Sequence, residues 1–286
     1  LVGRRGFYLG DGTDVTFSGV FTEDSPHSAY VYKQGAASSR FALTGRIDYA
    51  GYVDEKNGFT NVVFHARGGT NAFPVAALGP AGAEFRISGV SGSAFAFGEG
   101  RGAANVQLRE TDPFGRYSCS FAGNCTLYGT FTVAAQMSRL ALSTDGETVF
   151  GGAFRMLRYI GTLGLFGENS GFAFSHGIEA RAVETLLVRL NGGGVAFDGP
   201  VTGVQSVRDD VSGTADSGAV NPATVLIGGR LDAPKSIILR WANVVCGVAD
   251  AFNPNTELTW GWSTSSDRRS VYDLNGCDQT IRSFGV

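Results

Sequence analysis

Residue types that carry out acid–base or metal chemistry are few and scattered in this chain of 286 residues. Its three histidines are His27, His65 and His176, and none belongs to a metal-binding pattern such as H-E-x-x-H. Ser175 and His176 are adjacent, so they do not form a nucleophile–base pair by themselves. The sequence therefore predicts no metal and no cofactor.

Paired carboxylates would allow a second kind of chemistry, the cleavage of glycans by a general acid and a base or nucleophile. The candidate pairs are Glu179 with Glu184 and Asp209 with Asp210. Asp209 and Asp210 lie near a glycine-rich segment, where Asp commonly forms turns. Nothing in the sequence sets either pair at the separation that glycoside hydrolysis requires. The sequence thus favours a protein that is not an enzyme, with a glycan-cleaving hydrolase on a β scaffold as an alternative.

Two aromatic pairs are candidates for recognition. Trp260 and Trp262 are separated by one glycine, so in a strand both indoles would face the same way and form a flat platform. Such platforms stack on sugar rings or anchor a protein partner. Tyr30 and Tyr32 offer a smaller version of the same arrangement. The alternative for the two tryptophans is that they close one end of the core.

The four cysteines are Cys119, Cys125, Cys246 and Cys277. Their spacing contains no C-x-x-C pair, so a zinc ribbon is not expected. The simplest pairing is two local disulfides, 119–125 and 246–277, each worth about 2–4 kcal/mol in the chain-entropy account. Disulfides would place the protein in an oxidising setting: extracellular, periplasmic or on a particle surface. The alternative is four free, buried thiols.

Glycine on the apolar side of predicted strands is the most repeated feature of the sequence. Residues 41–53 alternate between an apolar set that begins at Phe41 and a mostly polar set that begins at Ala42, and Gly45 falls on the apolar side. The phrase apolar-x-apolar-x-Gly recurs at residues 15–19, 85–89, 125–129, 148–152, 195–199 and 225–229. Such a glycine marks a bend, a bulge or a close approach of two backbones. The copies are 23 to 47 residues apart, and no strict repeat is inferred.

These strands predict a mainly β protein: an antiparallel curved β-sandwich, jelly roll or barrel, because alternating strand–helix–strand units are lacking. A helix is predicted over residues 178–191, where apolar residues recur at helical spacing. Residues 154–166 predict either a second short helix or a buried strand pair. We expect a main domain over 1–204, an exposed polar loop over 205–221, and C-terminal strands over 222–286 packed on the same domain.

Composition limits the function more than any motif does. Charged residues make up 17% of the chain, glycines number 42, and the net charge is −3. A chain without a concentrated basic face is not expected to be specific for nucleic acid, and no stretch reaches the ~18 apolar residues of a membrane helix. These features favour a structural or attachment protein of a virion, phage appendage or surface layer. Its expected partners are copies of itself or other assembly proteins, and glycans. The alternative is a secreted glycan-binding module.

Overall fold

The computed structural model describes residues 3–10, 12–18, 21–22, 29–35, 40–43, 47–48, 52–54, 59–67, 70–75, 78, 84–89, 94–110, 115–209, 221–239, 241–260 and 270–285. Within these ranges the secondary structure consists of β-strands joined by short turns. No helix of the described residues is long and apolar enough to cross a membrane.

The strands are numbered in chain order. The first eleven are β1 (Gly3–Leu9), β2 (Asp14–Phe17), β3 (Phe21–Thr22), β4 (Ala29–Gly35), β5 (Arg40–Leu43), β6 (Ile47–Asp48), β7 (Tyr52–Asp54), β8 (Phe59–Arg67), β9 (Thr70–Pro74), β10 (Glu84–Gly89) and β11 (Ala94–Gly98). The next nine are β12 (Gly100–Gly102), β13 (Asn105–Glu110), β14 (Arg116–Phe121), β15 (Cys125–Leu127), β16 (Phe131–Val133), β17 (Met137–Thr144), β18 (Glu147–Phe150), β19 (Phe154–Glu168) and β20 (Gly171–Phe174). The last nine are β21 (Ile178–Asn191), β22 (Gly194–Phe197), β23 (Val201–Arg208), β24 (Ala223–Ile227), β25 (Ser236–Leu239), β26 (Ala242–Cys246), β27 (Glu257–Trp260), β28 (Val271–Asp273) and β29 (Ser283–Gly285).

Strands pair in parallel with strands one turn earlier and one turn later, and the pairings define three faces. Face A contains β14, β17 and the second halves of β19 and β21. Face B is the 8-stranded sheet from β12 to β28. Face C contains β13, β16 and the first halves of β19 and β21. The chain visits A, B and C in order and then returns to A. The fold is therefore a parallel β-solenoid.

The prediction of an antiparallel sandwich, jelly roll or barrel was wrong. The only antiparallel pairing among the described residues is β7 with β8, which flank residues 55–58 outside the described ranges. Elsewhere each short strand ends at a corner instead of reversing. Residues 41–53, predicted as one bent strand, contribute to the separate strands β5, β6 and β7, and Ala42, predicted to face water, is buried.

The predicted helix over residues 178–191 is the long strand β21, and residues 154–166 belong to β19. Both strands pass a corner between faces C and A, where their register shifts. The shift interrupts the period-two alternation along β21, so its buried residues Ile178, Val183, Leu186 and Leu190 stand at intervals that resemble a helix. Strands β24 and β25, although consecutive, do not form a hairpin, because they lie on faces B and A and pair with other strands.

Residues that are equivalent on successive turns lie about 23 or 24 positions apart. Cys125 pairs with Thr148, Thr148 with Phe172, and Phe172 with Val195. Because equivalent residues stack directly, phenylalanines form columns inside the solenoid. Phe131 and Phe154 stack at 5.2 Å between ring centroids. A second column joins the rings of Phe150, Phe174 and Phe197 at 5.0 and 5.6 Å. The core is thus built of ladders of similar side chains.

Four of the recurring glycines occupy the corner between faces B and C, where successive turns touch through their backbones, whereas Gly89 ends β10 and residues 19 and 45 lie outside the described ranges. A Cβ atom on Gly129 would lie 2.2 Å from the carbonyl oxygen of Ala104, and one on Gly152 would lie 2.2 Å from that of Gly129. Gly199 and Gly229 continue the column. Of the three meanings that the sequence offered for this glycine, the close approach of two backbones is the one found here.

The predicted disulfides were wrong: all four cysteines are free. Cys119 and Cys125 both lie in the core but on faces A and B, in strands β14 and β15. The Cys125 thiol donates to the carbonyl oxygens of Gly98 and Ala122, both at 3.4 Å. Cys246 is buried in β26, and Cys277 is half-buried beyond β28. The three buried cysteines Cys119, Cys125 and Cys246 act as small apolar core residues, a role that needs no disulfide.

We expect the buried thiols to resist alkylation in the folded protein at pH 8. Burial raises the pKa of Cys125 and of Cys246 to about 11 and raises that of Cys119 further, so the reactive thiolate is scarce. Mass spectrometry after iodoacetamide treatment should show Cys277 labelled first, and all four labelled in denaturant without a reductant. A mass that increases by about two hydrogens per bridge on reduction would instead demonstrate disulfides.

Candidate functional site

A shallow trough of about 590 Å³ crosses the outer side of face B. It spans the four neighbouring strands β18, β20, β22 and β24, the corners that precede the first three of them, and Asn124 of the turn before. Three spacings between strands amount to about 14–15 Å along the solenoid. The trough therefore has the length of an extended ligand that would lie across the strands.

The trough exists because the two middle strands have small outward side chains. Gly171 and Ala173 face outward from β20, and Gly194 and Ala196 occupy the same register positions in β22. The flanking strands carry larger outward groups, which close the two ends: Glu147 and Val149 in β18, and Thr224 and Leu226 in β24. In all four strands the alternate residues point into the core. The sequence pattern that shapes the trough is G-F-A-F at 171–174 followed by G-V-A-F at 194–197.

Asparagines form one side of the trough at the corner between faces A and B. The side-chain oxygen of Asn124 accepts a hydrogen bond from the backbone N–H of Glu147 at 3.0 Å, which ties one turn to the next. Asn169 adopts a positive φ of 49°, a conformation that asparagine tolerates better than most residues. Both asparagines line the trough. Each side-chain amide has two N–H donors in addition to its oxygen, which suits it to bind hydroxyl groups.

Glu147 is the single charged residue that lines the trough within the described part of the chain. Two-carboxylate glycoside hydrolysis needs a second acid about 5–10 Å away. The carboxylates considered from the sequence are elsewhere: Glu179 pairs with Arg155 at 2.9 Å, and Glu184 pairs with Lys235 at 2.7 Å. The arrangement in the trough therefore suits binding through hydrogen bonds rather than acid–base cleavage.

The remaining sequence candidates are not brought together. Asp209 is buried, and its Oδ2 accepts a hydrogen bond from the backbone N–H of Trp241 at 2.7 Å, whereas residue 210 lies outside the described ranges. His176 is exposed at a corner, His65 belongs to β8, and residue 27 is outside the described part. Within the described residues no group of three or more His, Cys, Asp or Glu side chains could hold a metal ion.

The aromatic platforms stay predictions. Trp260 is the last residue of β27 and pairs with Leu239, but its side chain and the whole of Trp262 lie outside the described part of the structure. Tyr30 and Tyr32 belong to β4 on face C, where they pair with Arg4 and Gly6 of β1, and their side chains are likewise not described.

The fold and the trough define the chain as a β-solenoid with an elongated polar depression on one face. Comparison with protein-family models, with curated proteins and with solved structures finds no match.

Proposed function

We propose that this chain is a non-enzymatic structural or attachment protein of an extracellular assembly, and that the face-B trough binds an uncharged glycan. The observation that carries the proposal is the trough itself, which crosses four strands and is lined by amides, one carboxylate and small apolar groups. Hydroxyl groups of a sugar chain match the amides and Glu147. The methyl groups of Val149 and Ala173 suit its C–H faces.

The scaffold supports the structural part of the proposal. A solenoid in which every turn packs on the next gives an extended surface, and such surfaces serve repeat proteins in binding long partners. Solenoid ends and faces also offer repeated surfaces to copies of the same chain or to other assembly proteins. The hydrolase alternative would need the carboxylates of Glu179 and Glu184, and both are engaged in exposed ion pairs, with Arg155 and with Lys235.

We expect a panel of immobilised neutral oligosaccharides to retain the protein, and Ala196→Trp to abolish that retention. Ala196 lies in the middle of the trough, so an indole there would occupy the space of the ligand. Thr202→Trp is the matched control, because it places the same side chain on an exposed strand position on another face. Affinity is measured by biolayer interferometry with each variant.

Retention of the same glycans by Ala196→Trp, or no retention of any glycan by the wild type, would contradict binding in the trough. Chromatography of the recovered glycan tests the hydrolase alternative, since shortened chains would show cleavage. Sedimentation equilibrium of the same preparation tests whether the chain assembles. We expect a mass of at least twice the chain mass of 30.0 kDa. A stable monomer at all concentrations would contradict it.

A further inference from the structure

A second depression lies where face C meets face A and contains three arginines. It has a volume of about 510 Å³ and is lined by Arg109, Ala134, Leu157, Arg158 and Arg181. We call it the arginine cleft. Leu108, Val133, Met156 and Ala180 are stacked by strand pairing on four successive turns. Each is followed directly by a lining residue: Arg109, Ala134, Leu157 and Arg181. The cleft is thus a consequence of the stacking of turns.

Register irregularities in β19 and β21 coincide with two of these arginines, Arg158 and Arg181. Met156 pairs with Ala180 and Tyr159 pairs with Ala182, so Leu157 and Arg158 together oppose the single residue Arg181. Two residues opposite one is the definition of a β-bulge, a feature that re-aims side chains and is frequent beside functional sites. On the next turn, three residues of β21 oppose Gly203, whose φ is +74°. The irregularity therefore extends over consecutive turns.

Two of the three arginines of the cleft are not neutralised by the described residues that surround them. Arg158 and Arg181 are exposed, and neither makes a hydrogen bond or an ion pair within the described ranges. Glu179, two positions before Arg181, is already paired with Arg155. The Nε–H of Arg109 donates a hydrogen bond to the side-chain oxygen of Gln107 at 2.5 Å. Guanidinium groups that converge in this way repel one another, and they match the planar, bidentate geometry of carboxylate, sulfate and phosphate.

Apolar surface lies beside the arginines on the same bulge. The side chains of Leu157 and Tyr159 are 47% and 43% exposed, the largest exposures of apolar groups near the cleft. A ligand that combines an anionic group with a ring would use both parts: its oxyanion would contact Arg158 and Arg181, and its ring would lie against Tyr159. A cleft of this volume is of the size that holds a small cyclic group.

We propose that the arginine cleft binds the oxyanion of an acidic sugar, a uronate or a sulfated residue of an anionic polysaccharide. The protein carries a net charge of −3, and the cleft contains three arginines instead of a long basic track, which disfavours nucleic acid. The site lies apart from the trough on face B, and its lining shares no residue with it. The inference therefore does not depend on the function proposed for the trough.

The test compares two double variants that remove the same charge. Arg158→Gln with Arg181→Gln removes two arginines from the cleft, and Arg208→Gln with Arg230→Gln removes two exposed arginines from elsewhere. Titration calorimetry measures affinity for oligogalacturonate, for a sulfated oligosaccharide, for neutral dextran and for a single-stranded oligonucleotide. We expect wild type and control to bind an acidic oligosaccharide, and the cleft variant to bind it at least about tenfold more weakly, since charge-assisted hydrogen bonds are lost.

The acidic oligosaccharide that binds identifies the source of the oxyanion, with oligogalacturonate indicating a carboxylate and the sulfated probe a sulfate ester. Equal affinity of cleft variant and control, tighter binding of the oligonucleotide, equal binding of neutral dextran, or no binding of either acidic probe would overturn the proposal. Circular dichroism confirms that each variant is folded. The single variants Arg158→Gln and Arg181→Gln, each expected to weaken binding, replace the double variant if it does not fold.

Discussion

Phe150→Ala is expected to lower the free energy of unfolding by about 3–5 kcal/mol, the usual cost of removing a buried aromatic ring. Phe150 is 1% exposed, and its ring contacts four others: the centroids of Phe121, Phe131, Phe154 and Phe174 lie 4.9 to 5.6 Å away. These rings come from neighbouring turns and from all three faces. Alanine at this position would therefore leave a cavity and remove ring contacts that join several turns.

Tyr128→Ala is the control for this substitution, because it removes an aromatic ring of similar size that is 55% exposed. We expect it to cost less than about 1 kcal/mol. Urea unfolding followed by circular dichroism gives both values by linear extrapolation. If Phe150→Ala proved as stable as Tyr128→Ala, the phenylalanine columns would not be the main source of stability.

The sequence predicted correctly that the chain is mostly β and that its glycines have a structural role. The phrase at Cys125–Gly129 and its copy at Thr148–Gly152 do occupy equivalent positions on successive turns, 23 residues apart. The next turn hides the repeat, since His176 replaces the glycine and Gly177 follows it. Turns 24 residues long, and the longer interval from Val195 to Val225, blur the period further. The regularity was therefore present but was interpreted as a bend within long strands.

Parallel pairing could not be inferred from the strands themselves. Strands such as β15 and β16 are three residues long and are separated by a glycine corner, a spacing that also suits a bent strand or a hairpin. The usual signal for parallel strands is a helix between them, and here the other two faces of the solenoid make that connection instead. Without a helix, the sequence favoured antiparallel pairing.

The trough and the arginine cleft escaped prediction for a related reason. Gly171 and Gly194, or Arg158 and Arg181, become neighbours only when the 23-residue register is known. Within one turn each is an ordinary glycine or a solvated arginine. Sequence reasoning concentrated on residues that are close along the chain, such as Trp260 and Trp262. In a solenoid, a surface is built from residues one turn apart.

Gly152→Ala tests the glycine corner directly. A single added methyl group on Gly152 would lie 2.2 Å from the carbonyl oxygen of Gly129 and 2.7 Å from that of Tyr128, well inside any contact distance. These are backbone atoms, which cannot move aside as a flexible side chain would. The two turns would have to separate at this corner, and we expect a loss of about 1–3 kcal/mol in the free energy of unfolding, as for other overpacked sites.

Gly98→Ala is the matched control, since Gly98, at the end of β11, is a half-buried glycine of the solenoid as Gly152 is. Its nearest neighbour would be the Cα of Pro74 at 3.5 Å, an ordinary contact. Because alanine reduces the freedom of the unfolded chain, this variant should be unchanged or more stable by about 0.4–1 kcal/mol. The two substitutions add the same methyl group, so the difference between them measures the contact between turns. Equal stability of Gly152→Ala and Gly98→Ala in urea unfolding would show that the corner accommodates a side chain and that the recurring glycines have another cause.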